Sequence, residues 1–310
     1  MSEVLVVGEL NVDLILSQLN AFPAPGKEVL AQDMDVVLGS SSAICAAGLA
    51  KLGAQVGFVG RVGNDAYGRF VLRALERLGV DTTTVRVDPD VRTGATVSLV
   101  YRGDRALVTY LGSIATLRAE DVPVDCMSNY RHLHVSSYYL QKNLQEGLPL
   151  LYRQARALGL TTSLDVGYDP EESWQRDRVL ALLHHVNFFL PNEGEACALA
   201  DTGDVEEAAA FLARHVQDWV IVKRGAEGAL AHARDGRRVH VPAFPVTVVD
   251  TTGAGDSFNA GFIYAYALQR MPIEDALRFA AVCGALSTTG IGGTAAQPSL
   301  EQVWEFLRQH

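Results

Sequence analysis

The sequence predicts an α/β protein, a mainly parallel sheet wrapped by helices, with a small antiparallel β lid. Three observations carry this. Strand-like apolar runs alternate with segments of helical period along most of the chain. Two β-rich stretches, 29–38 and 93–110, leave no room for a crossover helix and so belong to a separate small sheet. With 310 residues, 48% of them hydrophobic, the chain can bury a large core, and no repeat or low-complexity linker divides it. It reads as one domain, 1–310, with lid strands contributed by about 14–38 and 93–112.

The elements follow in order. Val4–Leu10 opens as a strand, Ser42–Leu52 is helical and closed by Gly53, and Val56–Val62 is the next strand. Asn64-Asp65 caps a helix in which Tyr67, Phe70, Val71, Ala74, Leu75 and Leu78 form one apolar stripe, stopped by Gly79. The lid stretch after it carries an Arg102-Gly103-Asp104-Arg105 turn. Then come strand His132–Ser136, helix Leu144–Ala157, strand Leu160–Val166, helix Arg178–His185 and strand Val186–Leu190. Helices near Asn192–Ala200 and Val205–His215 precede strand Trp219–Val222. The last third is helical: Gly255–Leu268, Pro272–Ala285 and Leu300–Leu307.

Charge and composition exclude several functions. Lys+Arg number 26 against 36 Asp+Glu, a net charge of −10, so no global basic field invites nucleic acid or an anionic membrane. No apolar run approaches the roughly 18 residues of a membrane span, and the N-terminus enters a strand without an export leader. Cys45, Cys126, Cys197 and Cys283 lie far apart with no C-x-x-C pair, as expected of reduced, structural thiols in a cytoplasmic protein. His132 and His134 share a strand face, but no cluster completes a metal site around them, so they read as packing histidines.

The chemistry concentrates in Val249-Asp250-Thr251-Thr252-Gly253-Ala254-Gly255-Asp256-Ser257-Phe258-Asn259-Ala260-Gly261-Phe262. Three small residues run into a helix whose first N–H groups have no intrahelical partner, which makes an anion site. Asp256, in the first turn, fits two roles: a helix cap, or a base that takes a hydroxyl proton as that oxygen attacks phosphorus.

This stretch resembles the C-terminal signature of the PfkB/ribokinase family of carbohydrate and nucleoside kinases. Four further segments resemble the family in the same order: Val7–Asp13, Gly57–Gly68, Asn192-Glu193-Gly194-Glu195 (an N-x-x-E motif) and Lys223–Ala229. The resemblance implies a ribokinase-like three-layer α/β/α domain and ATP-dependent transfer of the γ-phosphoryl of MgATP to a hydroxyl, expected to be primary, of a small sugar. It implies Asp256 as catalytic base and Gly253, Ala254, Gly255 and the Asp256 N–H as anion hole. It places Asn11, Asp13, Gly39 and Ser40 at the acceptor, and Asn192, Glu195, Lys223, Gly225 and Gly228 at ATP, with Glu195 serving Mg²⁺ through water. It also implies a K⁺ site at Asp250, Thr252, Ser287, Gly290 and Gly292, and a homodimer through the lid. A nucleoside kinase, or a sugar sensor without catalysis, are the alternatives on the same motifs. The chain departs from the family where the first signature has Gly-Gly and then Asn: Ser40 replaces the second glycine and Ile44 the asparagine. Loss of that hydrogen-bonding side chain leaves the acceptor's identity open.

Overall fold

A computed structural model of the protein describes residues 3–102 and 104–310. From the N-terminus the chain forms β1 (Val4–Val7), β2 (Asn11–Ser17), β3 (Asp33–Leu38), α1 (Ser41–Lys51), β4 (Val56–Gly63), α2 (Ala66–Arg77), β5 (Val85–Asp88), β6 (Gly94–Tyr101) and β7 (Asp104–Tyr110). It continues through α3 (Val124–Met127), β8 (His132–Val135), α4 (Leu148–Ala157), β9 (Thr161–Leu164), α5 (Arg176–Leu183), β10 (Phe188–Phe189), α6 (Glu193–Ala200) and α7 (Val205–Ala213). Strands β11 (Trp219–Lys223), β12 (Ala229–Ala233) and β13 (Arg238–Val241) precede helices α8 (Ala254–Phe262), α9 (Ile273–Ser287) and α10 (Leu300–Gln309).

The main sheet has nine strands in the order β13-β12-β11-β10-β9-β8-β1-β4-β5, parallel except for β12 and β13 at one edge. Strand β1 shows why it is three-layered. Alternate side chains of a strand face opposite ways, and Leu5 and Val7 enter one apolar core with Leu133, Leu151 and Phe189. Val4 and Val6 enter a second core with Leu49, Phe58 and Phe262. Helices cover both faces, so the parallel strands are largely buried, and the polar side chains on β8 and β9, His132, His134 and Ser163 among them, are hydrogen-bonded to one another.

The lid is a four-stranded sheet, β3-β2-β6-β7. Its β2–β3 and β6–β7 pairs are antiparallel, while β2 and β6 run parallel because the chain leaves and returns by way of α1 to β5. The expected strand from residue 29 starts at Asp33, opposite Ser17 where β2 ends; before it the pairing thins to the Gln32 N–H on the Ser17 carbonyl and the Asn20 N–H on the Leu30 carbonyl. The lid also starts earlier than expected, at Asn11, so Asp13 lies within β2 and not in a loop after β1. Gly103 in the predicted lid turn lies outside the described residues. Helix α4 starts at Leu148 and not Leu144, with Pro149 in the first turn, where a missing N–H costs no hydrogen bond. After Phe262 the last helix turns widen into a π-helical stretch, Ile263–Leu268. His132 and His134 are buried and share Ser163 Oγ as partner, His132 Nε2 at 2.8 Å and His134 Nδ1 at 2.7 Å, which supports the packing reading.

Candidate active site

The site sits where the parallel strands end, the side of such a sheet on which ligands bind. Gly253 introduces α8 with φ +73, and a Cβ there would lie 2.7 Å from Gly293 Cα and 3.0 Å from Ile44 Cγ2. Only glycine fits that turn. The cap supplies no side-chain acceptor, and among the described residues none meets the N–H of Gly255 or Asp256. Asp256 does not cap its own helix. Its carboxylate instead accepts a short hydrogen bond from Ser41 Oγ at the start of α1. Burial, and then the Asp165 charge, push the Asp256 carboxyl up to about 7, against the pull of Ser41 and Lys223.

Behind Asp256 lies a group that motif reasoning did not find. Asp165, just past β9, accepts from Lys223 Nζ at 2.5 Å and from Asn259 Nδ2 at 2.6 Å on one oxygen, and from the Gly167 N–H at 3.1 Å on the other. Burial pushes Asp165 up, but the Lys223 charge and these hydrogen bonds outweigh it and hold the carboxyl below its ordinary value. The one sequence signal for Asp165 is a carboxylate following a buried strand at its carboxyl end. Asn259 sits one turn along α8 from Asp256, but its partner is remote in sequence.

Of the residues expected at ATP, Asn192 and Glu195 form a capping box at α6: Asn192 Oδ1 accepts from the Glu195 N–H at 2.9 Å, and Glu195 Oε2 from the Asn192 N–H at 2.9 Å. Burial and the Asp165 charge raise the Glu195 carboxyl. A bridge between Asn192 and Lys223 brings this motif beside the end of β11. Gly228 has φ +86, and a Cβ there would lie 2.6 Å from the Pro242 carbonyl carbon, so the turn itself demands glycine. Gly225, also at positive φ, is exposed in the same turn. Among the described residues no cluster of three His, Cys, Asp or Glu could hold a metal directly. A cation held chiefly by nucleotide phosphates and water, with Glu195 alongside, fits this donor set.

Of the residues expected at the acceptor, Asn11 is buried and donates to Asp13 Oδ1 at 2.9 Å. Burial pushes the Asp13 carboxyl up to about 6, with Asn11 and Arg105 opposing. A Cβ on Gly39 would overlap the Asp13 carboxylate, so glycine keeps that face open. Ser40 has φ +74, caps α1 by accepting from the Ala43 N–H at 3.0 Å, and donates to the Glu9 carbonyl at 2.5 Å. Its hydroxyl is thus engaged within the protein, and Glu9 also accepts from Ser42 Oγ at 2.5 Å. Ile44 is 3% exposed and packs on Gly253 and Gly293, beneath the turn that opens α8. From the lid, Arg105 Nη1 donates to Thr252 Oγ1 at 2.9 Å and Thr251 Oγ1 at 3.2 Å, with Asp250 3.6 Å away.

Of the proposed cation residues, Asp250 accepts from the Thr252 N–H at 2.9 Å and the Gly292 N–H at 2.8 Å, which joins the two loops. Ser287 Oγ donates to the Gly284 carbonyl of its own helix at 2.8 Å, and Gly290 packs on Ala296.

Comparison with known proteins follows from this geometry. The pattern that defines the pfkB family carbohydrate kinases matches residues 1–300. The chain is 28% identical to 5-dehydro-2-deoxygluconokinase of Geobacillus kaustophilus (strain HTA426), covering 99% of this chain and 93% of that one. A provisionally assigned ribokinase II from E. coli, solved with ATP and Mg²⁺, superposes with a TM-score of 0.86 at 26% identity, covering all of both chains. A double-mutant fructokinase from Vibrio cholerae O395, solved with fructose, ADP and potassium ion, gives a TM-score of 0.80 at 27% identity over 99% of this chain and 98% of that one.

Proposed function

The chain belongs to the pfkB family of carbohydrate kinases, and from that premise we propose that it moves the γ-phosphoryl of MgATP to a primary hydroxyl of a small sugar or sugar derivative. The observation that carries the assignment of roles is the first turn of α8, where the Asp256 carboxylate turns to Ser41 and leaves the N–H groups of Gly255 and Asp256 available to phosphate.

In this reading Asp13 accepts acceptor hydroxyls and aims the reacting oxygen at phosphorus, with Asn11 and Gly39 setting its position. Asp256, its carboxyl pushed up to about 7, is poised to take the hydroxyl proton near neutrality. The Gly253–Asp256 backbone holds the equatorial oxygens as charge develops, the electrostatic contribution on which phosphoryl transfer chiefly depends. Asn192 and Glu195, with Lys223, Gly225 and Gly228, line the nucleotide side. Mg²⁺, when bound with ATP, neutralises charge on the β- and γ-phosphates.

Ile44, which stands where the family has asparagine, lies against Gly253 and Gly293 and lends no support to the nucleoside alternative. The link between Asp250 and Gly292 supports a K⁺ loop beside the anion hole. Exposed Met34, Val36, Val108 and Tyr110, which the strand register places on one face of the lid, support a homodimer formed through it, since an apolar sheet face is normally covered.

The test is ATP consumption with Mg²⁺, with and without K⁺, over hexoses, pentoses, keto-deoxy acids, phosphosugars and nucleosides, with Asp256→Asn as blank. Asp256-dependent turnover of one sugar is the expected result. Turnover confined to nucleosides, or bound ATP with no turnover on any acceptor, overturns the reading.

A further inference from the structure

Lys223 stands at the end of β11 with its side chain 12% exposed, and its ammonium is held against the first turn of α8. A Cβ on Gly255 would lie 3.4 Å from Lys223 Nζ, 3.8 Å from Cδ and 3.9 Å from Cε. The lysine therefore lies along the same turn whose Gly255 and Asp256 N–H groups lack acceptors. An ammonium has three donors. One goes to Asp165, and among the described residues no second acceptor is bonded to Nζ.

Asp165 accepts three of the roughly four hydrogen bonds open to a carboxylate. Lys223 and Asn259 share one of its oxygens and the Gly167 N–H takes the other, so the carboxylate is fixed from three directions. Burial favours a neutral amine, but Asp165 and Glu195 outweigh it and raise the Lys223 pKa, keeping the ammonium charged. A buried ion pair is by itself weak evidence for stability. One that holds a cation with unused donors beside an anion hole has a use beyond packing.

We propose that Lys223 is a catalytic residue whose ammonium, held by Asp165, contacts the transferring phosphoryl group beside the N–H groups of α8, and that Asp165, braced by Asn259, is its positioning residue. This rests on the kinase reading above and changes the part assigned to Lys223, from a general nucleotide contact to the γ-phosphoryl. In the step, the acceptor hydroxyl oxygen forms its bond to the γ-phosphorus and its proton passes to Asp256. The bond from that phosphorus to the β–γ bridging oxygen breaks, and the electron pair leaves with ADP. Lys223 keeps its proton throughout and offsets charge on the moving group.

The experiment compares the full-length protein with Lys223→Met, Lys223→Arg, and the double variant Lys223→Met with Asp165→Asn, which leaves no unpaired buried charge. Calorimetry without acceptor measures the Mg²⁺ complexes of ADP and of β,γ-imido-ATP. Lys223→Met should weaken the imido analogue at least tenfold while ADP stays within about threefold, because only one of them carries the γ-group. With an acceptor, kcat should fall about 10²–10³-fold, the scale for losing one stabilising donor. Lys223→Arg should recover part of that loss, and the double variant should be no slower than Lys223→Met. Equal weakening of both nucleotides, or no change in either, overturns the proposal. If the wild-type protein phosphorylates no acceptor, the kinase reading fails, while the two nucleotide affinities still judge the lysine.

Discussion

The first turn of α8 and the lid sheet approach each other across the acceptor side of the site, and they are built in opposite ways. Around α8 the functional carboxylates are enclosed and partnered: Asp256 with Ser41, Asp165 with Lys223 and Asn259, and Glu195 with Asn192. The lid carries Leu107 and Val108 58% and 61% exposed, and it reaches the α8 loop through Arg105. In the proposed reading Asp256 and Lys223, which must hold a geometry to within a fraction of an ångström, sit on a helix terminus and a strand end fixed by the core, and Asp13 is the one such group on the lid. Groups that choose or enclose a substrate sit on an element with little core of its own, from which motion is drawn.

Changes at α8 should therefore strike turnover and changes in the lid should strike binding or assembly. The largest expected effect is Asp256→Asn, which should lower kcat by about 10²–10⁴ with MgATP affinity within about threefold, read by steady-state kinetics and calorimetry. A lid substitution that cost kcat as much would dissolve the contrast.

The pH profile sharpens it. With the Asp256 carboxyl at about 7, kcat/KM should rise with pH through that value as the base loses its proton, and this limb should vanish from the residual activity of Asp256→Asn. Stability should run the other way. The folded carboxyl binds its proton up to about 7 and the unfolded one only to its ordinary 3.8, so the native state loses stability as pH rises between the two. Asp256→Asn should therefore raise Tm over wild type more at pH 8.5 than at pH 5. The same Tm difference at both values would show that the carboxylate is not buried as described.

Smaller effects follow. Arg105→Ala should raise the acceptor KM by about tenfold with kcat nearly kept, the scale of one partly exposed charged contact. A fall in kcat instead would move Arg105 from the lid's role to that of α8. Ile44→Val should cost about 0.5–1.5 kcal/mol in urea unfolding, as for one methylene lost from a core, without changing the ranking of acceptors. Val108→Asp, on the lid face turned away from Asp13 and Arg105, should shift the mass seen by light scattering from dimer to monomer and leave kcat within about twofold. A wild-type protein already monomeric at micromolar concentration would remove the dimer.

Much of this was legible in advance because it is local. The run Gly253-Ala254-Gly255-Asp256 carries its turn, its helix start and its anion site within four neighbouring residues, and Asn192 meets Glu195 one turn away. The lid was legible in outline, since two strand-rich stretches had no crossover helix between them. Its start was not: Asn11 and Asp13 follow β1 so closely that they read as the end of that strand. Ser40 posed the reverse problem. Its hydroxyl suited a sugar, but a positive φ and the cap on Ala43 commit it to the backbone.

The sequence by itself determined the family, the layered α/β fold, and the glycine turn that opens α8, because glycine conformations, caps and apolar periods are set by neighbours along the chain. Only the tertiary structure decided that Asp256 faces Ser41, 215 residues away, that Lys223 is held by Asp165, and that Ile44 lies under Gly253. Charge and burial depend on which strand ends the sheet brings together. That order, β11-β10-β9-β8-β1, is fixed by packing between helical layers and is written in no single stretch of residues.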